Sequence, residues 1–149
     1  MNNTELTRSI IGAAIEAHKL LGPGLLESAY EDCLRHEFAL RKIRFEKQKP
    51  IPLVYKGTKL ECGFRLGLLV EGRVVVELKS VDGFGPIHEA IVLTYLRLSG
   101  HDLGLLINFN VPVLKDGVRR FIMPRDGGNV SLNTEFTEST EKRAERRDA

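Results

Sequence analysis

The run Val74-Val-Val-Glu-Leu-Lys79 ends in a tripeptide that can do chemistry. In an extended strand residues i and i+2 share a face, so Glu77 and Lys79 set a carboxylate beside an ammonium. The plain reading is a surface ion pair, which contributes little. The functional reading is a carboxylate that holds a metal ion, beside a lysine that orients or deprotonates an attacking water. The tripeptide does not choose between them. Glu27, in Gly24-Leu-Leu-Glu-Ser-Ala-Tyr30, is a second carboxylate of interest, against the simpler role of an acid favoured by a helix N-terminus. Tyr95 and His88 have chemistry available, although side chains of these types are often part-buried packing groups. Arg65, Arg119 and Arg120 offer phosphate contacts or plain surface charge. Cys33 and Cys62 show no metal-binding spacing.

A hairpin must position Glu77. Two runs rich in Val and Leu, within 64–70 and 74–79, flank Glu71-Gly72-Arg73. Apolar runs around a short Gly-containing loop read as two antiparallel strands. A three-residue loop pairs Val70 with Val74, Leu68 with Val76 and Leu66 with Leu78, making one face uniformly apolar. The other face then sets Gly67 against Glu77 and Arg65 against Lys79. A loop one residue shorter would set Leu66 against Glu77 and mix the faces, so the buried pattern selects the longer loop.

The remaining elements follow from periodicity and breakers. Thr4 is expected to cap a first helix bearing Leu6, Ile10, Ala13, Ala14, Ala17, Leu20 and Leu21, stopped by Gly22-Pro23-Gly24. A second helix is expected over 25–41, with Leu26, Tyr30, Cys33, Leu34 and Phe38 as its apolar stripe. Residues 45–55 read as one strand, confined to an edge by Pro50 and Pro52, and the hairpin strand starts as early as Lys59. After the Gly-rich loop at 81–86, a third helix over 87–99 turns Ile87, Ala90, Ile91, Thr94, Tyr95 and Leu98 inward, and Gly100 stops it. The apolar run 103–110 after that helix implies a crossover into a buried parallel strand. Lys115-Asp116-Gly117 is a turn before a last strand over 118–123.

The 149 residues predict one domain over 1–124 with a substantial core, followed by a polar, flexible tail over 125–149. The formal net charge of +2 excludes a strong global attraction to nucleic acid, so binding of that kind needs a local patch. No apolar run approaches the roughly 18 residues that span a bilayer, and no signal peptide is read at the N-terminus. With two cysteines outside any disulfide pattern, a reduced cytoplasmic chain is expected.

The segment Gly24-Leu-Leu-Glu27-Ser-Ala-Tyr30 resembles the signature of the GxxExxY proteins, a branch of the PD-(D/E)XK nuclease superfamily. The likeness runs on through Glu77-Leu-Lys79, Tyr95-Leu96, Gly104-Leu-Leu-Ile-Asn-Phe-Asn110 and Gly117-Val-Arg-Arg120. It implies an α/β fold with a restriction-endonuclease-like core, a mixed central sheet flanked by helices. It implies Mg²⁺-dependent phosphodiester hydrolysis of DNA or RNA, with carboxylates holding the ion and a lysine acting on its water. By the same resemblance Glu27 and Glu77 are metal carboxylates, Lys79 is the catalytic lysine, and Tyr95 is the tyrosine of a helical QxxxY element.

Two positions depart from that pattern. Gly67 stands where the superfamily carries its first metal Asp, and Ile91 stands at the glutamine of QxxxY. Mg²⁺ wants several oxygens in near-octahedral array, so one lost carboxylate weakens the site. Glu27 is the best substitute, ahead of Glu31 and Glu89. Two readings follow: a degenerate descendant that binds nucleic acid or a protein partner, and a Mg²⁺-dependent nuclease rearranged around Glu27, Glu77 and Lys79. Either is compatible with a homo-oligomer.

Overall fold

In the computed structural model, residues 1–61, 65–124 and 131–132 are described. The tail beyond residue 124, apart from the pair 131–132, lies outside them, as do Cys62 and Phe64. Helix α1 (Asn3–Leu21) is capped by Asn2 rather than Thr4, in a reciprocal box with Glu5. The Asn2 side chain accepts from the Glu5 N–H at 2.8 Å, and the Glu5 carboxylate accepts from the Asn2 N–H. Its inward stripe is Leu6, Ile10, Ala13, Ala14 and Ala17, while Leu20 is exposed. Gly22 ends it at φ +71.

Helix α2 (Glu27–Leu40) buries Tyr30, Leu34 and Phe38. Leu26, expected in that stripe, is instead the exposed residue that precedes the first turn. The region 45–55 divides into β1 (Phe45–Pro50) and β2 (Leu53–Tyr55), because Pro50 and Pro52 break the run. β2 pairs with β3 (Thr58–Leu60) in a two-stranded ribbon of its own, so Lys59 does not begin the central hairpin.

That hairpin is β4 (Arg65–Val70) and β5 (Val74–Lys79), joined by the three-residue loop expected, with Val70 opposite Val74 and Leu68 opposite Val76. Glu71 and Gly72 make the turn at φ +52 and +64. After β5 the chain crosses through α3 (Pro86–Ser99) and returns as β6 (Leu103–Asn108), parallel to β5. A 3₁₀ turn (Leu114–Gly117) leads to β7 (Val118–Ile122), and β8 (Ser131–Leu132) pairs with β7. The sheet order is β1-β4-β5-β6-β7-β8.

The sheet is therefore mixed and covered on both faces, the α/β architecture expected. One core joins α1 and α2 to Leu68, Val70, Val74, Val76, Leu105 and Ile107. The other joins Val92 and Leu96 of α3 to Leu69, Val75, Leu106 and Phe121. Helix α3 buries Val92 and Leu96 most deeply; of the expected stripe Tyr95 and Leu98 pack half-buried against the same core, and Ile87 is exposed. Gly104 makes room for the deeper pair. A Cβ there would lie 3.1 Å from Val92 and 3.3 Å from Leu96, so the bare backbone receives those two side chains. Among the described residues no helix is long and apolar enough to cross a membrane.

The uniform apolar face expected for the hairpin ends at Gly67. Leu66 packs in the α3 core while Leu68 and Leu78 pack against the α1–α2 core. Gln48 stands between the Lys47–Leu68 and Lys49–Leu66 pairs and has φ +51. A left-handed residue in β1 beside a glycine in β4 turns both strands at one level, which moves Leu66 to the other face.

Candidate functional site

The turn of the sheet at Gly67 opens the site. The paired rungs of β4 and β5 run from Val70–Val74 to Leu68–Val76. At the next level the Gly67 N–H donates to Glu77 Oε1 at 2.9 Å. Glycine suits this close approach: a Cβ on residue 67 would lie 3.0 Å from Glu77 Oε1 and 3.2 Å from the Val76 carbonyl, so those neighbours would have to give way. Gly67 thus faces Glu77, as the register requires.

A cavity of about 100 Å³ lies against this point, and Glu27, Glu31, Gln48, Gly67, Glu77 and Lys79 are among its lining residues. The structure therefore brings Glu27, Glu77 and Lys79 together from two elements. Glu77 is 8% exposed. Burial pushes its carboxyl above the usual carboxylate range, opposed by the Gly67 N–H and the Lys79 ammonium and reinforced by Glu27 and Glu31. Lys79 is half-buried, and Glu27 is exposed at the cavity rim.

The local fold explains how Glu27 arrives there. Tyr30 is fully buried and stacks on Phe109 with ring centroids 4.4 Å apart. Its hydroxyl donates to the Gly22 carbonyl at 2.5 Å and accepts from the Leu25 N–H at 3.1 Å. Ser80, the residue after β5, donates from its hydroxyl to the Leu25 carbonyl at 2.6 Å. In the segment Gly24–Tyr30, glycine supplies a backbone at φ +96, tyrosine fastens the loop, and the glutamate opens the helix at the cavity.

Tyr95 is not a lining residue. It is half-buried against the α3 core, and its phenol is pushed above the usual range by burial first and by the charge of Glu77 second. Ile91, where the resemblance implies a glutamine, is half-buried on the same helix. Nδ1 of His88 accepts from the Gly85 N–H at 2.9 Å, which closes the first turn of α3. Arg65 reaches the Gln48 carbonyl at 3.4 Å, Arg119 lies over the Phe84 ring, and Arg120 is buried.

Two lining residues matter more than the sequence suggested. Glu31 follows Glu27 by one helical turn, the spacing that stacks side chains on one face, and its Oε1 is buried with no hydrogen-bond partner among the described residues. Gln48 enters from the edge strand only because of its left-handed backbone, and no periodicity marks it. Asn108 fixes the segment leaving β5: its side chain accepts from the Val81 N–H at 3.1 Å and donates to the Val81 carbonyl at 2.9 Å.

A family model described as the PD-(D/E)XK nuclease superfamily matches residues 4–121. The chain belongs to that superfamily. No curated protein and no solved structure matches it.

Against the superfamily's Mg²⁺ chemistry the residues present fit poorly. Among the described residues no three acidic, His or Cys side chains converge as a metal-binding group. At residue 67, where the resemblance implies the first metal carboxylate, the backbone N–H, a donor, is directed at Glu77. A metal at Glu77 would share the carboxylate with that hydrogen bond, which occupies one side of Oε1. With all groups ionised the cavity is lined by three carboxylates and one ammonium, which repels a phosphate.

Proposed function

We propose that this chain is a member of the GxxExxY branch with a degenerate metal site, and that it binds nucleic acid with little or no cleavage. The observation that carries this reading is the Gly67 N–H on Glu77 Oε1, where an additional carboxylate oxygen would serve an ion. The nuclease superfamily supports nucleic acid as the partner. Because the cavity itself is acidic, the phosphate contacts belong outside it. The cytoplasm is its compartment on this reading, in line with a free Cys33.

One observation favours a second reading, a working nuclease rearranged around Glu27, Glu77 and Lys79. Those three side chains line one cavity although two of them are distant in sequence from the third. On that reading Glu27 and Glu77 would hold the ion, with Glu27 in place of the lost Asp, and Lys79 would stand beside its water. Calorimetric Mg²⁺ titration, with DNA and RNA cleavage by the wild type, Glu77→Ala and Gly67→Asp, separates the two. The degenerate reading expects weak metal binding, negligible wild-type cleavage, and nucleic-acid binding that survives chelation by EDTA. Robust wild-type cleavage abolished by Glu77→Ala establishes the rearranged nuclease and overturns the first reading.

A further inference from the structure

The ribbon of β2 and β3 takes no part in the site as described, yet it is rooted beside it. The chain leaves the sheet at Pro50 and rejoins it at Arg65, which are partners across β1 and β4. That is the end of β1 where Gln48 lines the cavity. Ile51, 8% exposed in the α3 core, anchors the departing chain. Beyond the anchor the ribbon stands away from both cores: Val54 is 66% and Tyr55 60% exposed, and all of β3 is exposed.

Its tip is stiff. Tyr55 pairs with Thr58 across a two-residue turn in which Lys56 and Gly57 have φ +49 and +79. Positive φ at both central residues is the turn that matches the natural twist of a hairpin. The Lys56 ammonium sits over the Tyr55 ring, 5.4 Å from its centroid.

The charge of this region exceeds the net charge of the whole chain. Residues 47–65 hold Lys47, Lys49, Lys56, Lys59 and Arg65 against the single acid Glu61, while the whole chain has a formal charge of only +2. Among the described residues neither Lys47 nor Lys59 pairs with a carboxylate, whereas Lys49 reaches Glu46 at 3.6 Å. A local cationic patch on a nearly neutral chain is the electrostatic footprint of a polyanion.

We propose that the β2–β3 arm is the nucleic-acid contact of this protein, entering the major groove of duplex DNA with Lys56 and Lys59 on its phosphates. The inference rests on the nucleic-acid reading above and adds to it the surface and the form of the ligand. Dimensions favour the duplex. Strands of three residues at ~3.3 Å each give an arm roughly 10 Å long. The major groove, about 12 Å wide and about 8.5 Å deep, admits a two-stranded ribbon. An arm that engages the groove brings Lys47, Lys49 and Arg65 at its root toward the flanking backbone, and keeps the acidic cavity off the phosphates.

The test uses the full chain and fluorescence anisotropy against three probes: a short mixed-sequence DNA duplex, the corresponding single strand, and an RNA duplex. Lys56→Gln with Lys59→Gln removes the two arm charges. Lys42→Gln with Arg44→Gln removes two charges at the opposite end of β1. Circular dichroism verifies that each variant is folded. The arm variant is expected to lose about tenfold in DNA affinity and to lower the slope of log K against log salt by about 2, roughly 0.9 for each phosphate contact. The control variant should change both by much less. Equal losses in the two variants overturn the arm and leave the nucleic-acid reading standing. Preference for the single strand or for RNA overturns the duplex DNA assignment. No binding of any probe by the wild type overturns both.

Discussion

Replacing Gly67 by Asp is the sharpest perturbation of this site. The new Cβ would lie 3.0 Å from Glu77 Oε1, a distance that forces one group to move. The carboxylate is the far end of a flexible side chain, whereas the Val76 carbonyl at 3.2 Å is fixed in the sheet, so Glu77 gives way toward the cavity by a few tenths of an ångström and its bond from the Gly67 N–H is loosened. Two carboxylates then face each other. Like charges ~4 Å apart at an effective dielectric of ~20 repel by about 4 kcal/mol. Protonating one of them limits the cost to about 1.4 kcal/mol for each pH unit above an ordinary carboxylate value of ~4. The ceiling is thus about 4 kcal/mol at pH 7 and about 1 kcal/mol at pH 5. The folded-state pKa of the pair is raised, so stability is retained at low pH and lost as pH rises. Thermal unfolding in EDTA should show the variant well below the wild type at pH 7 and close to it at pH 5. Mg²⁺ opposes the effect, because the new oxygen is a ligand. At 100 times its dissociation constant the ion returns about 2.7 kcal/mol to the variant, with a far smaller effect on the wild type. Equal Mg²⁺ stabilisation of the two proteins refutes the reasoning, since residue 67 would then lie outside the metal's reach.

Other substitutions probe the supporting structure. Burial raises the Glu77 pKa, so its contribution to stability falls as pH climbs from the ordinary carboxylate range to the raised value. Glu77→Gln keeps an acceptor for the Gly67 N–H, and should raise stability at neutral pH and flatten the pH profile of urea unfolding above the carboxylate range. Tyr30→Phe retains the stack on Phe109 but leaves the Gly22 carbonyl and the Leu25 N–H without their partner, at a cost of about 1–3 kcal/mol by urea titration. Gly104→Ala pushes a methyl into Val92 and Leu96 and should lower stability by about 1–3 kcal/mol, read as a lower melting temperature.

The hairpin register was legible because its alternation has period two and a shift by one residue would have mixed apolar with charged side chains. Glu27, Glu77 and Lys79 were legible as chemistry-bearing types in recognisable settings. What was hidden depends on partners distant in sequence. Gly104 leaves room for Val92 and Leu96 on α3, whereas the helix's own pattern points to a neighbouring stripe of which Tyr95 and Leu98 pack half-buried at the same core. Leu66 changes face through the backbone of Gln48, a residue whose type does not announce a left-handed conformation. Residues 45–55 read as one edge strand because Pro50 and Pro52 are each compatible with an edge, whereas together they end β1 and precede β2. Glu31 was the weaker candidate in sequence, and its importance comes from the depth at which α2 packs.

The bonds around Asn108 tie the existence of the site to the last stages of folding. Phe109 donates from its N–H to the Lys79 carbonyl at 2.9 Å, and Asn108 grips both backbone groups of Val81 from 27 residues away. The hairpin that carries Glu77 needs only a short loop closure, but the segment that leaves Lys79 is held only after α3 has crossed and β6 has docked. Sequence-distant pairings of this kind form late. A chain stalled before the crossover would therefore own the hairpin without an ordered rim. The amides of Val81 and Phe109 become reporters: their hydrogen exchange should slow to the rate of global opening, while amides in the separate β2–β3 ribbon exchange through small local fluctuations. Any variant that leaves the helices intact but speeds exchange at those two amides has lost the site without losing the fold.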